Sequence, residues 1–206
     1  MLHPMNTYSS HAQTAAGGFI LARACIDARA PLASGAYGFT MLLMGLASFA
    51  WWGSRRRAAQ QVDSWLMETV TGASAAAYLA IGAPEYERSW VGAWALAAAL
   101  RGATALSLWR GQQGILQRGN LLWPALAATA GYWCAALRLG GGGLFWRFVV
   151  GVAGLALGLV FKMHDTAGGQ AWGTAAFHYA TGAGAVALWL WAQSLPLAIH
   201  STVRFS

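Results

Sequence analysis

Five side chains of the types that serve hydrolytic or metal chemistry fall at corresponding points of this sequence's hydrophobic pattern: Ser48, Asp63, His164, Asp165 and His178. Ser48 lies in the last turns of a first apolar stretch, and Asp63 opens a second. His164 and Asp165 follow a fifth, and His178 lies about two turns into a sixth. If successive stretches are antiparallel helices, all five come to one side of the molecule. A His, an Asp and a Ser converging there could hold a metal ion and activate its bound water. Each residue also has a plainer role. Ser48 can bond its own helix backbone, and Asp63 before an apolar run is a good N-cap. His178 suits a buried neutral imidazole bonded to a neighbour, and His164 and Asp165 suit a loop. A further residue, Arg101, sits near the middle of the third stretch, where a charge costs about 2.5–3.5 kcal/mol on insertion scales. It needs a buried carboxylate such as Glu68, or a lipid headgroup or cofactor to grip.

The elements that position these residues are six stretches near 36–53, 64–83, 90–109, 120–138, 144–162 and 171–195. Each is long enough to cross a bilayer as a helix. The lipid core forces every backbone polar group to be satisfied internally, so the expected fold is all-α, a polytopic transmembrane helix bundle with six main spans over 35–196. A tail, 197–206, follows it. The arm before it, 1–34, lacks the basic start and compact apolar run of a signal peptide. It carries Arg23, Asp27 and Arg29 among Phe19, Ile20, Leu21 and Ile26, and reads as a short amphipathic helix at the interface.

Composition agrees with lipid as the solvent. Of 206 residues, 57% are hydrophobic and only 9% charged, against about 25% charged in a soluble domain. The net charge of +7 is spread over loops and forms no clustered basic face, which excludes a nucleic-acid module. Cys25 and Cys134 lie far apart in sequence and outline no disulfide framework. Of the twelve tryptophans, most, including Trp189 and Trp191, fall near predicted span ends, as expected of interfacial anchors; Trp94 and Trp133 fall deeper, where packing explains them. Arg55, Arg56 and Arg57 after the first span place that end in the cytoplasm, and alternation puts both termini outside. Gly154 and Gly158 stand in GxxxG spacing, read as internal helix packing.

The spacing resembles the CREST superfamily of membrane hydrolases, which includes alkaline ceramidases, adiponectin-type receptors and GPI-lipid remodelling proteins. Its pattern has a Ser, a His four residues later, and an Asp eleven residues after that His. A last helix carries His-x-x-x-His, often with an aromatic residue before the second His. Here SFAWW places Ser48 at the Ser, and Asp63 stands eleven residues after Trp52. AWGTAAFHYA places His178, preceded by Phe177, at the second His, and Asp165 on the approach also fits. The resemblance implies zinc held by His residues beside the Ser and Asp. Two expected ligands are absent, because Trp52 and Thr174 stand at their positions, and the family's first helix is missing or reduced to the N-terminal arm, a degenerate seventh span. His164 matches no family ligand.

Three functions follow as expectations. The first is an accessory or structural subunit of the bacterial inner membrane on a CREST-like scaffold without zinc catalysis. It would pack against membrane lipids, pigments or other membrane protein subunits. The second is a zinc-dependent lipid amide or ester hydrolase, with His178 as a ligand, Asp63 as base and Ser48 orienting the water. The third is a transporter or channel, for which Arg101 speaks but no paired broken helices do.

Overall fold

A computed structural model describes residues 4–111, 122–138, 145–168 and 172–195, and they are helical almost throughout. The elements are α1 (Pro4–Ile26), α2 (Pro31–Ser54), α3 (Arg57–Gly82), a 3-10 turn (Pro84–Tyr86), α4 (Glu87–Gly111), α5 (Leu122–Arg138), α6 (Phe145–Gly168) and α7 (Trp172–Ser194). Among the described residues there is no strand. α2 to α7 cover the six apolar stretches. The tail after Leu195 lies outside the described residues.

Two helical stretches, Pro31–Ser54 and Phe145–Met163, are long and apolar enough to cross a membrane by length and composition. They differ in what surrounds them. Half of the apolar window in α2 is buried by other helices, against 11% in α6, whose Leu159, Val160 and Met163 point outward. α3 and α4 are also long, but Asp63, Glu68 and Arg101 interrupt their apolar runs.

The arm read as a short interfacial helix contains α1, which has 23 residues. It lies between α2 and α7. Its inner face follows a helical stripe, Asn6, Ser10, Gln13, Gly17, Ile20 and Ala24, all buried. With α1 packed along α2, Pro4 comes to the same end of the bundle as Arg55; Thr7 packs beside Gly53. The alternation that set both termini on the opposite side therefore changes for the N-terminus.

Small residues let the helix backbones approach. A Cβ on Gly38 would stand 2.8 Å from the carbonyl oxygen of Gly17, and one on Gly154 would stand 2.9 Å from that of Ala180. Both fit only glycine, and they lock α1 to α2 and α6 to α7. The Gly154 spacing thus serves packing within the chain.

Aromatic side chains fill the other end of the core. Tyr78 stacks on Tyr132 with ring centroids 5.6 Å apart, and Phe148 lies 4.7 Å from Trp191. Trp189 and Trp191, read as interfacial anchors, are instead in the core at 1% and 0% exposure. Trp189 donates its Nε1–H to Ser34 Oγ at 3.2 Å. Internal hydrogen bonding and ring stacking supply what water would supply at an interface. Trp94, deeper in the sequence pattern, donates to the Thr69 carbonyl at 2.9 Å, and Trp133 meets Phe148 edge-on.

Candidate functional site: a polar layer at one end of the bundle

The α2–α3 connection is two residues long, and Arg55 closes α2. Its φ of 55° is left-handed, and its backbone N–H donates to the Trp51 carbonyl at 2.7 Å. The tight turn lays the end of α2 along the start of α3. Ser48 and Asp63 therefore face each other, and Ser48 Oγ donates to Asp63 Oδ1 at 2.6 Å. Both residues are buried. Asp63 does not cap α3; the N-cap is Arg56, and Asp63 lies nearly two turns inside the helix. Nor does Ser48 spend this bond on its own backbone. The pair is a hydrogen bond between helices.

His178 is buried at 3% exposure on α7, facing α1. Its Nδ1 lies 2.9 Å from Ser9 Oγ and 3.5 Å from Ser10 Oγ. One turn earlier, Thr174 accepts a hydrogen bond from Lys162 Nζ at 2.8 Å. The same ammonium lies 5.4 Å from the ring centre of Trp52, and the Arg55 guanidinium lies 4.4 Å from that ring. The two positions where the resemblance expects zinc ligands, Trp52 and Thr174, thus both contact one lysine. His164 and Asp165 fall in the continuation of α6, not in a loop, and their side chains lie outside those described.

These residues do not fit zinc. A dication there would stand beside the Lys162 ammonium, and like charges a few ångströms apart in a low-dielectric interior repel strongly. Trp offers no lone pair for coordination, and Thr174 Oγ1 already accepts from Lys162. Among the described residues no three His, Cys, Asp or Glu side chains converge.

Deeper along α3, Glu68 receives Arg101 of α4 in a fork. Arg101 Nε donates to Oε2 at 3.1 Å, and Nη2 donates to Oε1 at 3.2 Å and to Oε2 at 3.0 Å. The side chains are 14% and 9% exposed, Arg101 first. Of the partners weighed for Arg101, a buried carboxylate, a lipid headgroup or a cofactor, the structure shows the carboxylate of Glu68.

Sequence reasoning read α1 as a short interfacial helix and missed that its polar face is buried, and it did not place Lys162 at the site. Ser9, Ser10 and Gln13 turn a polar wall toward α7, where Gln13 Nε2 donates to Thr181 Oγ1 at 3.3 Å, and Asn6 is buried near them on α1. Asn6 Oδ1 and Gln13 Oε1 are buried without a hydrogen-bond partner. The available signal was the helical spacing of Asn6, Ser10, Gln13 and Gly17, which continues into Ile20 and Ala24.

No protein-family model, curated protein or solved structure matches this chain. What the geometry defines is an all-helical bundle with two helices able to cross a membrane and a buried polar layer at one end.

Proposed function

We propose that this protein is an integral membrane accessory subunit on a CREST-like scaffold, with α2 to α7 as its six main spans, and that a fixed lysine occupies the place of zinc chemistry. The observation that carries the reading is Lys162, which bonds Thr174 and lies over Trp52. Each candidate catalytic side chain is engaged with another helix: Ser48 with Asp63, His178 with Ser9. In lipid such bonds hold helices together, because lipid tails give no hydrophobic drive for association. The outer faces suit lipid or neighbouring subunits; Leu96 and Leu100 on α4 are more than half exposed. The basic turn at Arg55, Arg56 and Arg57 orients the polar layer toward the cytoplasm of a bacterial inner membrane.

Isolation from native membranes in mild detergent, with zinc analysis, tests this. The expected result is comigration with other membrane subunits and far less than one zinc per chain. A free monomer, or about one zinc per chain that His178→Ala removes, overturns it.

The short Ser48–Asp63 bond favours a second reading, lipid amide or ester hydrolysis, since it would orient a hydroxyl beside a carboxylate base. That reading falls if His178→Ala and Asp63→Asn leave lipid hydrolysis by the isolated protein unchanged.

A further inference from the structure

At the end of the bundle opposite the polar layer, α1 ends, α6 begins and α7 ends. Two cavities meet there. The first is a groove of about 450 Å³ between α1, α6 and α7, floored by small residues such as Ala12, Ala16 and Ala187 and walled by Trp146. The second, about 220 Å³, is lined by Arg23, Arg29 and Arg147, with Asp27 as its one acidic lining residue. Arg147 and Leu190 line both, so the apolar groove and the basic cavity adjoin at these two residues.

The dimensions select an occupant. The groove follows α7 from Tyr179 to Leu190, about 16 Å at 1.5 Å per residue. That is about half of a 30 Å hydrocarbon core, the depth of one leaflet. The groove is apolar and open along its side, and its volume of about 450 Å³ leaves room for one hydrocarbon chain along this length.

The charge selects the headgroup. Three arginines and a single aspartate line the second cavity. Arg23 pairs with Asp27 through Nη2, while its Nε is buried without a hydrogen-bond partner. Gln193 accepts from the Arg29 backbone N–H at 3.0 Å and donates to Ser34 at 3.3 Å, which fixes the α1–α2 corner against α7. Guanidinium forks match phosphate oxygens in geometry and charge.

We infer that this site binds an anionic glycerophospholipid, with its phosphate among Arg23, Arg29 and Arg147 and one acyl chain in the groove along α7. The inference rests on the membrane reading above and names the lipid at one place on the surface. The lipid belongs to the leaflet opposite the polar layer.

The test uses the full chain reconstituted into vesicles of phosphatidylcholine and phosphatidylglycerol. The protein is re-extracted in mild detergent, and retained lipid per chain is measured by mass spectrometry. Phosphatidylglycerol is expected to remain at about one per chain, in preference to phosphatidylcholine. Arg23→Gln with Arg147→Gln should lower its retention at least about tenfold, the loss of one or more charge-assisted bonds. Ala187→Phe, which fills the groove without changing charge, should do the same. Arg56→Gln with Arg57→Gln, exposed at the other end, should leave retention unchanged. Equal retention of the two lipids, or equal loss in the Arg56 and Arg57 control, overturns the inference. Vesicle flotation separates the two levels. A chain that does not float with the vesicles removes the membrane reading and this site with it; a chain that floats but keeps no phosphatidylglycerol removes only the site.

Discussion

The two ends of this bundle handle polar groups in opposite ways. Where α1 and α3 begin, hydroxyls, a carboxylate, an imidazole and an ammonium are drawn inward and engaged across helices: Ser48 with Asp63, Ser9 with His178, Lys162 with Thr174. Where α1 and α7 end, three arginines gather around a single aspartate beside an apolar groove. The first arrangement spends its polar groups on holding the fold. The second leaves positive charge in excess at a cavity. Residue types suited to chemistry are therefore concentrated at the end where their bonding capacity is largely committed, and the arginines read from sequence as part of an interfacial helix line a cavity instead.

The comparison breaks most sharply at the deepest engaged pair. Glu68→Ala removes the carboxylate that the buried Arg101 guanidinium grips, and should cost about 3–5 kcal/mol of stability. Glu68→Leu combined with Arg101→Leu should recover most of that loss. Thermal or denaturant unfolding in detergent measures both; a double variant as unstable as the single one would mean that the pair does more than neutralise itself.

A smaller effect is expected within the polar layer. Ser48→Ala removes a donor from the buried Asp63 carboxylate and should cost about 1.5–3 kcal/mol. A double-mutant cycle with Asp63→Asn should give a coupling of the same sign, and additive losses would show that the 2.6 Å contact carries no energy of its own.

The smallest change in stability belongs to the basic end. Arg23 and Asp27 are paired on the surface, at 44% and 47% side-chain exposure. Asp27→Asn should therefore alter stability by no more than about 0.5 kcal/mol. By removing the one acidic side chain that lines the basic cavity, it should also increase phosphatidylglycerol retention. A stability loss as large as that of Ser48→Ala would erase the contrast between the two ends.

Much of the helical framework was legible in the hydrophobic lengths, because a segment of about twenty apolar residues has few alternatives to a helix. Ser48 and Asp63 were legible as neighbours because only a short basic segment separates their helices. Glu68 and Arg101 were legible because a charge deep in an apolar run needs a partner. α1 was legible as a helix but not as a buried one: its inner stripe is polar, and in sequence a polar stripe resembles a solvated face. Trp189 and Trp191 misled for the converse reason. A tryptophan near a helix end has the same composition whether its N–H meets water or Ser34.

The sequence by itself determined where helices form and which residues are too polar to be left alone, since both depend on local length and on the cost of desolvation. Only the tertiary structure decided who meets whom. Ser9 and His178 are 169 positions apart, and Lys162 reaches Trp52 across the bundle. Those meetings depend on how closely the helices pack, which glycines such as Gly17, Gly38 and Gly154 set by letting one backbone rest on another.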